Sequence, residues 1–202
     1  MRTVLHLNSS IFGDGGQSSR LAHEFVAQFP EARVIARDLA LQPLPHLDAE
    51  RFGAFLAKPE ARTPAQAAVV AESDALIAEL KAADTLVLGL PMYNFGLPTQ
   101  LKAYFDHIAR AGVTFKYTEQ GSVGLLTGKK AYVFAARGGL YQGTPRDTQT
   151  QYVRDFLAFL GITDVEFVYA EGLAISAASK AESLATARNR LRNLAQPERI
   201  AA

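Results

Sequence analysis

Three short segments combine glycine, hydroxyl and aromatic residues in a way that could bind a flat, phosphate-bearing ligand. We call them the serine loop (residues 9–19), the aromatic turn (residues 92–95) and the glycine loop (residues 136–139). Their key members are Ser9, Ser10, Gly16, Gln17, Ser18 and Ser19; Met92, Tyr93, Asn94 and Phe95; and Ala136, Arg137, Gly138 and Gly139. Each segment alone also fits an ordinary role as a helix cap, a connection or a turn.

The three segments offer different chemistry. A helix that begins after Gly16 would leave backbone N–H groups unpaired and carry partial positive charge, so the serine loop can hold a phosphate without a lysine. The aromatic turn offers ring surfaces and an amide to a planar ligand. In the glycine loop, glycines let a ligand edge approach the main chain, and Arg137 adds a permanent cation. Together they predict binding of a planar cofactor with one phosphate.

Elements that could position these segments alternate along the chain. Apolar runs predict strands at residues 4–7, 32–39, 86–90, 131–135 and 165–169. Helical spacing predicts helices after Gly16, over 48–56, after Thr63, and over 98–110, 148–160 and 180–194. Residues 113–117, with Gly121 and Gly124, predict a hairpin outside the sheet. This alternation predicts a doubly wound parallel α/β sheet with helices on both faces.

The order of the strands decides whether the three segments meet. They follow the first, third and fourth strands, whose ends are neighbours in the flavodoxin-like order 2-1-3-4-5, around its switch point. A dinucleotide fingerprint is absent because Ser18 stands where the third glycine of G-x-G-x-x-G belongs. Asp38 ends the second strand as a ribose-binding acid would, although a lone acid there is more often a solvated strand end.

Composition narrows the function classes. The 202 residues suit a single domain over 1–202, and a net charge of +1 gives no field to attract nucleic acid or a membrane. The absence of cysteine excludes disulfides, thiolate nucleophiles and iron–sulfur clusters, and the spacing of the four histidines predicts no metal site. The apolar N-terminal stretch is too short for a signal peptide or membrane span, so we expect a cytoplasmic protein.

Eight segments, in order and over nearly the whole chain, resemble the bacterial FMN-dependent NADH azoreductases. They are residues 9–10, 17–18, 91–95, 99–102, 109–115, 127–130, 137–139 and 161–165, and the most specific are Met-Tyr-Asn-Phe and Arg-Ala-Gly-Val-Thr-Phe. The resemblance implies a flavodoxin-like homodimer with FMN at two sites between the subunits. It further implies that NADH or NADPH reduces the flavin, which then reduces quinones and azo compounds in a ping-pong cycle.

The resemblance also implies roles for individual residues. It assigns the FMN phosphate to Ser10, Gly16, Gln17 and Ser18, and the flavin ring to Met92, Tyr93, Asn94, Phe95, Ala136, Arg137, Gly138 and Gly139. Asn94 is expected to orient the N5 edge of the flavin. The Gly138 and Gly139 N–H groups, together with Arg137, are expected to favour the anionic reduced ring. The family often has serine at the positions of Gly16 and Ala136, so two hydroxyl donors are absent in this chain.

Two aromatic residues are expected to complete the pocket from outside these loops. Tyr117 is the candidate lid and Phe159 the candidate wall contributed by the partner subunit. For Phe159 the expectation also rests on helical spacing, which predicts that Tyr152, Phe156 and Leu160 are buried and that Phe159 is free to face a partner.

The sequence therefore predicts an FMN-dependent NAD(P)H oxidoreductase that acts on quinones and azo compounds. Three alternatives remain open: a flavodoxin-type electron carrier, a flavin-binding module without turnover, and a dehydrogenase that binds NAD without flavin. A carrier is disfavoured because the near-neutral charge offers no strongly acidic face for steering a partner. The sequence does not decide the physiological acceptor or the preference between NADH and NADPH.

Overall fold

The sheet has the strand order that the sequence predicted. A computed structural model describes residues 1–200, and their side chains up to residue 196. Its strands are β1 (Thr3–Asn8), β2 (Arg33–Asp38), β3 (Thr85–Pro91), β4 (Phe115–Thr118), β5 (Gly121–Gly124), β6 (Lys130–Ala136) and β7 (Asp164–Ala170). Five of them form a parallel sheet in the order β2-β1-β3-β6-β7, and β4 and β5 form a separate antiparallel hairpin. Without the hairpin strands, this is the order 2-1-3-4-5.

The helices lie between strands of the main sheet, except the last, which follows β7. They are α1 (Gln17–Val26), α2 (Ala49–Leu56), α3 (Pro64–Ala82), α4 (Thr99–Ile108), α5 (Thr150–Leu160) and α6 (Ala177–Ile200). Thr63 and Gln66 close a capping box at the start of α3. The predicted start of α6 at residue 180 was wrong, because the Ser176 hydroxyl already accepts a hydrogen bond from the Ser179 N–H at 3.0 Å.

Two apolar layers bury the faces of the sheet. Helices α1 and α6 cover one face, where Phe25 packs on Tyr132 and Phe134. Helices α3, α4 and α5 cover the other, which contains Leu5 and Leu7 of β1. All seven residues of β3 are buried, as expected for a central strand covered on both sides. No helix among the described residues is long and apolar enough to span a membrane.

The hairpin is docked on the end of α5. The Leu126 N–H donates to the Leu160 carbonyl at 2.8 Å, and the backbones of Gly124 and Gly161 pass so closely that neither could carry a Cβ without a shift. The first hairpin strand begins at Phe115 rather than at residue 113, because residues 113 and 114 fold back to the Arg110 carbonyl. The predicted hairpin outside the main sheet is therefore confirmed, with a later start.

Candidate functional site

The first turn of α1 has the features of an anion site. Gly16 caps the helix without a side-chain acceptor, and the first N–H groups of any helix lack carbonyl partners within it. The Ser18 hydroxyl lies in this turn, is fully buried, and has no hydrogen-bond partner among the described residues. A buried hydroxyl without a partner is costly, so a ligand oxygen at this position would satisfy it. The serine loop thus fits a phosphate group.

Ser10 connects the serine loop to the aromatic turn. Its hydroxyl lies 3.1 Å from the Tyr93 hydroxyl, and it accepts a hydrogen bond from the Phe12 N–H at 3.2 Å. A Cβ on Gly16 would lie only 2.3 Å from the Ser10 hydroxyl oxygen. The Ser10 hydroxyl therefore occupies the space that a longer side chain at position 16 would need. Ser9 is different: its hydroxyl donates to the Gly89 carbonyl at 2.7 Å and has a structural role.

The aromatic turn holds two residues in an unfavourable backbone conformation. Asn94 and Phe95 have φ angles of 50° and 62°, and reciprocal hydrogen bonds between Tyr93 and Gly96 close the turn around them. A positive φ is uncommon for asparagine and disfavoured for phenylalanine, and such strain persists mainly where function requires it. Both side chains are exposed at the carboxyl end of β3. The turn therefore presents an amide and a ring to the crevice.

The glycine loop lies beside the aromatic turn. The Met92 N–H donates to the Ala136 carbonyl at 3.1 Å, and the Tyr141 ring meets the Phe95 ring edge-to-face at 5.5 Å. The carbonyls of Arg137 and Gly138 accept hydrogen bonds from Leu173 and Ala174. Because a trans peptide places its N–H opposite its C=O, the N–H groups of the two following residues, both glycines, point away from that segment. Three predicted loops are thus brought together at one end of the sheet.

Arg137 does not offer its charge to a ligand. Its guanidinium is fully buried and donates to Asp147 at 2.7 Å and to Glu171 at 3.0 Å. Further hydrogen bonds reach Gln149 and Thr150. The prediction that this side chain would favour an anionic ligand ring was wrong, because two carboxylates already neutralise it. Any ligand contact at this position falls to the main chain.

Four residues of this network were missed by sequence reasoning. The Gln149 amide donates to the carbonyls of Pro91 and Gly96, while the Thr148 hydroxyl donates to the Phe95 carbonyl. The other two are Asp147 and Glu171, the partners of Arg137. Glu171 also accepts the N–H groups of residues 141 and 142 and so fixes the chain after the glycine loop. Only the spacing of Asp147 and Thr150, which resembles a helix cap, signalled any of these contacts.

The electrostatics of Asp147 reflect its partners. Burial alone would raise the pKa of this carboxyl, but hydrogen bonds from Arg137 and from the Thr150 hydroxyl and N–H outweigh it. The pKa therefore lies below its ordinary value of 3.8. A carboxyl with a lowered pKa stabilises the fold fully above its unfolded-state pKa, and this contribution is lost as the pH falls through the folded-state pKa.

Asp147→Asn is expected to lower the free energy of unfolding at neutral pH by about 3 kcal/mol, the lower range for breaking a buried ion pair. The difference from wild type should narrow as the pH falls below 3.8. Urea unfolding at a series of pH values measures it. Asp155→Asn, which changes an exposed carboxylate on α5, is the control and should cost little at any pH. A difference that does not vary with pH would contradict the assignment.

Tyr117 and Phe159 lie apart from the three loops. Both contact Phe115 in the hairpin, with ring distances of 5.4 Å and 4.1 Å, at the carboxyl end of α5. The 11 residues of α5 span about 16 Å, and its amino end carries the contacts to the aromatic turn. Within one chain, neither Tyr117 nor Phe159 therefore lies in the cluster formed by the three loops. Tyr117 is 75% exposed, as a lid that closes on another surface would be.

The expected burial pattern of α5 is confirmed for Leu160 and was wrong for Tyr152 and Phe156. The residues buried against the sheet are Val153, Leu157 and Leu160, whereas Tyr152 is exposed and Phe156 is half-buried. Phe159 is itself half-buried by the hairpin and is not free on its own surface. The argument that an exposed phenylalanine on α5 needs a partner therefore fails.

Asp38 has a structural role, and the described residues contain no set of metal ligands. The Asp38 carboxylate accepts the N–H groups of residues 40 and 41 at 2.8 Å and 3.0 Å, so it caps the turn after β2. Among the described residues, no group of three or more histidine, aspartate and glutamate side chains could hold a metal ion.

Comparison with known proteins gives consistent matches along the chain. A family model described as Flavodoxin-like fold matches residues 2–195. An FMN-dependent NADH:quinone oxidoreductase of Cellvibrio japonicus is 55% identical over 195 residues, which cover 95% of this chain and 97% of that protein. A protein of the same name from Alcanivorax borkumensis is 54% identical over 93% of this chain and 97% of its own length.

A solved structure extends the comparison to three dimensions. The FMN-dependent NADH-azoreductase of Bacillus anthracis, in complex with FMN, superposes with a TM-score of 0.88. The match covers 100% of both chains at 28% identity. The fold thus has a counterpart in a protein whose structure was solved with FMN bound.

Proposed function

This chain belongs to the family of FMN-dependent NADH:quinone oxidoreductases with a flavodoxin-like fold, and we propose that it transfers electrons from NADH through FMN to quinones and azo compounds. The observation that carries the proposal is the meeting of the serine loop, the aromatic turn and the glycine loop at one end of the sheet. The buried Ser18 hydroxyl without a partner supports a phosphate at this place. We also propose that residues 1–202 form a single domain, and the cytoplasmic location stays a prediction.

The proposed phosphate contacts are those of the serine loop. Ser18 would donate its hydroxyl and Gln17 its backbone N–H group, and Ser10 would hold the loop against Tyr93. The Gly16 N–H already donates to the Gly13 carbonyl at 3.1 Å, so Gly16 would contribute by lacking a side chain where the Ser10 hydroxyl lies. The α1 terminus favours a dianion because of its partial positive charge. One compact site of this kind suits FMN, because FMN carries a single phosphate group.

The proposed ring contacts lie in the other two loops. FMN, when bound, supplies the hydride chemistry, and the protein supplies orientation, hydrogen bonds and exclusion of water. Asn94 would offer its amide to the N5 edge of the ring from the strained turn, together with Met92, Tyr93 and Phe95. Gly138 and Gly139 would direct N–H groups at the pyrimidine edge, beside Ala136, where negative charge increases on reduction.

Turnover distinguishes an enzyme from the carrier and the binding module. We expect the FMN-loaded protein to oxidise NADH continuously in the presence of a small quinone. Ping-pong kinetics predict parallel lines in double-reciprocal plots at several quinone concentrations. Binding of FMN without quinone-dependent oxidation of NADH would leave only the binding module. If NADH reduces the flavin once but oxidation of NADH does not continue, the electron carrier is favoured.

We further propose that the active form is a homodimer in which each subunit contributes Tyr117, and with it Phe159, to the other's flavin. The distance along α5 supports this arrangement, because these residues lie too far from the loops of their own chain. A closed two-fold dimer would exchange the same residues in both directions. Sedimentation equilibrium should give twice the 21.9 kDa of one chain.

Complementation tests the exchange directly. Ser18→Asp should lose the flavin, and Tyr117→Ala should keep it but lose quinone turnover. Mixed dimers of the two variants contain one chain that binds FMN and one that provides Tyr117, so mixing is expected to restore turnover. If the two variants are dissociated, mixed and reassociated and the mixture stays inactive, the exchange of Tyr117 between subunits is contradicted. A monomer with full turnover would contradict it as well.

A further inference from the structure

Gln149 joins two of the candidate loops through one buried amide. Its side chain is 0% exposed, and its Nε2 donates to the Pro91 carbonyl at 2.9 Å and to the Gly96 carbonyl at 3.0 Å. Its Oε1 accepts from Arg137 Nε at 3.2 Å. Because arginine can only donate, the amide oxygen must face Arg137 and the NH₂ group must face the two carbonyls. The orientation of this amide is therefore fixed.

The two carbonyls that Gln149 binds are at the two ends of the aromatic turn. Between them lie Asn94 and Phe95, whose left-handed conformations are unfavourable for residues other than glycine. The Thr148 hydroxyl adds a third hydrogen bond, to the Phe95 carbonyl. Strain of this kind persists only where the surroundings determine the conformation more strongly than the backbone resists it. Thr148 and Gln149, the two residues before α5, hold the turn in this conformation.

The support for this clamp lies in the Arg137 ion cluster. Asp147 and Glu171 hold the guanidinium, which in turn fixes the amide of Gln149. Glu171 also holds the chain after the glycine loop. One buried network thus connects the aromatic turn with the glycine loop, although Arg137 and Gln149 present no side chain to the crevice.

We propose that Gln149 is a positioning residue that holds the aromatic turn in the conformation that flavin binding requires. This inference rests on the proposed function. Gln149 acts through the backbone of the turn and does not contact the cofactor. Its loss should therefore change how the protein binds and tunes FMN, beyond any loss of stability.

Gln149→Met keeps the length of the side chain and removes the three hydrogen bonds. The buried Pro91 carbonyl would lose its side-chain donor, and the Gly96 carbonyl would keep only the Tyr93 N–H, so we expect FMN affinity to fall by about 10-fold to 100-fold. The flavin absorption spectrum and reduction potential should shift in the fraction that binds. Ser73→Ala is the matched control, since it removes a buried hydrogen bond to the His107 carbonyl far from the loops. The control should lose a similar amount of stability with unchanged FMN affinity.

Gln149→Glu provides a signature that a loss of stability would not produce. A carboxylate would repel the two carbonyls of the turn, whereas a protonated carboxyl can still donate to one of them. The charged groups near the new carboxyl would be Arg137, which faces it, and Asp147 and Glu171, which bind the same guanidinium. We expect FMN affinity to be weakest at neutral pH and to recover as the pH falls, while the wild-type affinity does not rise in this way.

Thr148→Val is an exposed, nearly isosteric change that decides the question if Gln149→Met does not fold. It should weaken FMN binding in the same direction, by a smaller factor. Fluorescence titration with FMN measures all four variants. If wild type binds FMN and the Gln149 variants and Thr148→Val bind it equally well, the positioning role of Gln149 is overturned, and the proposed function still stands. If wild type does not bind FMN, the proposed function fails.

Discussion

Replacing Ser18 with aspartate is expected to weaken FMN binding by about a thousandfold. The new carboxylate would lie in the first turn of α1, where the phosphate is proposed to bind. At about 4 Å and an effective dielectric constant of about 20, two unit charges repel by about 4 kcal/mol. That energy corresponds to about three powers of ten in affinity. Ser18→Ala loses only one hydrogen bond to the charged phosphate, about 1.5–3 kcal/mol, so its cost should stay within about a hundredfold.

The comparison of three variants separates charge from size. Asparagine has nearly the shape of aspartate without its charge. The FMN affinity of Ser18→Asn should therefore fall between those of the alanine and aspartate variants. Thermal unfolding of the cofactor-free proteins reports whether the buried carboxylate also destabilises the fold. If Ser18→Asp titrates with FMN like wild type, the phosphate is bound elsewhere and the assignment of the serine loop is wrong.

Gly124→Ala is expected to destabilise the fold and to lower quinone turnover. A Cβ at this position would lie 2.0 Å from the Gly161 nitrogen and 2.3 Å from the Leu160 carbonyl carbon, both backbone atoms that cannot rotate away. Overpacking of this kind costs about 3 kcal/mol, and here the hairpin must shift relative to α5. Because Tyr117 is in this hairpin, quinone turnover should fall while FMN binding stays close to wild type.

Gly53→Ala is the matched control for the hairpin experiment. Nothing lies within 4 Å of a Cβ on Gly53, which is inside α2, so alanine should add about 0.5–1 kcal/mol of stability through its helix propensity. Chemical denaturation measures both variants. A Gly124→Ala protein as stable as wild type would contradict the docking of the hairpin on α5, and with it the proposed position of Tyr117.

The convergence of the three loops could be predicted because it depends on local patterns and one topological rule. Each loop follows an apolar run, and the alternation of strands with helices leaves few strand orders. Gly16 and Ser18 could be recognised for a similar reason, since a helix N-terminus is a local feature. These signals do not depend on which distant side chains are nearby.

The pairing of Arg137 with two carboxylates could not be predicted because these partners are distant in sequence. Asp147 and Glu171 lie 10 and 34 residues away, and no local pattern indicates that both turn inward. An arginine beside two glycines looks the same whether it is paired or free. The conformation of Asn94 and Phe95 was missed for a related reason, because Gln149 and Thr148, more than 50 residues away in sequence, hold the turn through its carbonyls.

The burial pattern of α5 failed because this helix packs on two surfaces. A single apolar stripe is expected when a helix covers only a sheet. Here Val153 and Leu157 face the sheet, while Phe159 packs on Phe115 of the hairpin. The sequence predicted both elements but not that one would dock on the other, since their contact depends on the close approach of Gly124 and Gly161.

The most direct test of the central claim is an anaerobic spectroscopic titration of the protein loaded with FMN. We predict that NADH bleaches the visible flavin absorbance, that a small quinone then restores it in stoichiometric amount, and that heating releases FMN as the sole flavin. Release of FAD, failure to retain added FMN, or a reduced flavin that the quinone does not reoxidise would contradict the account.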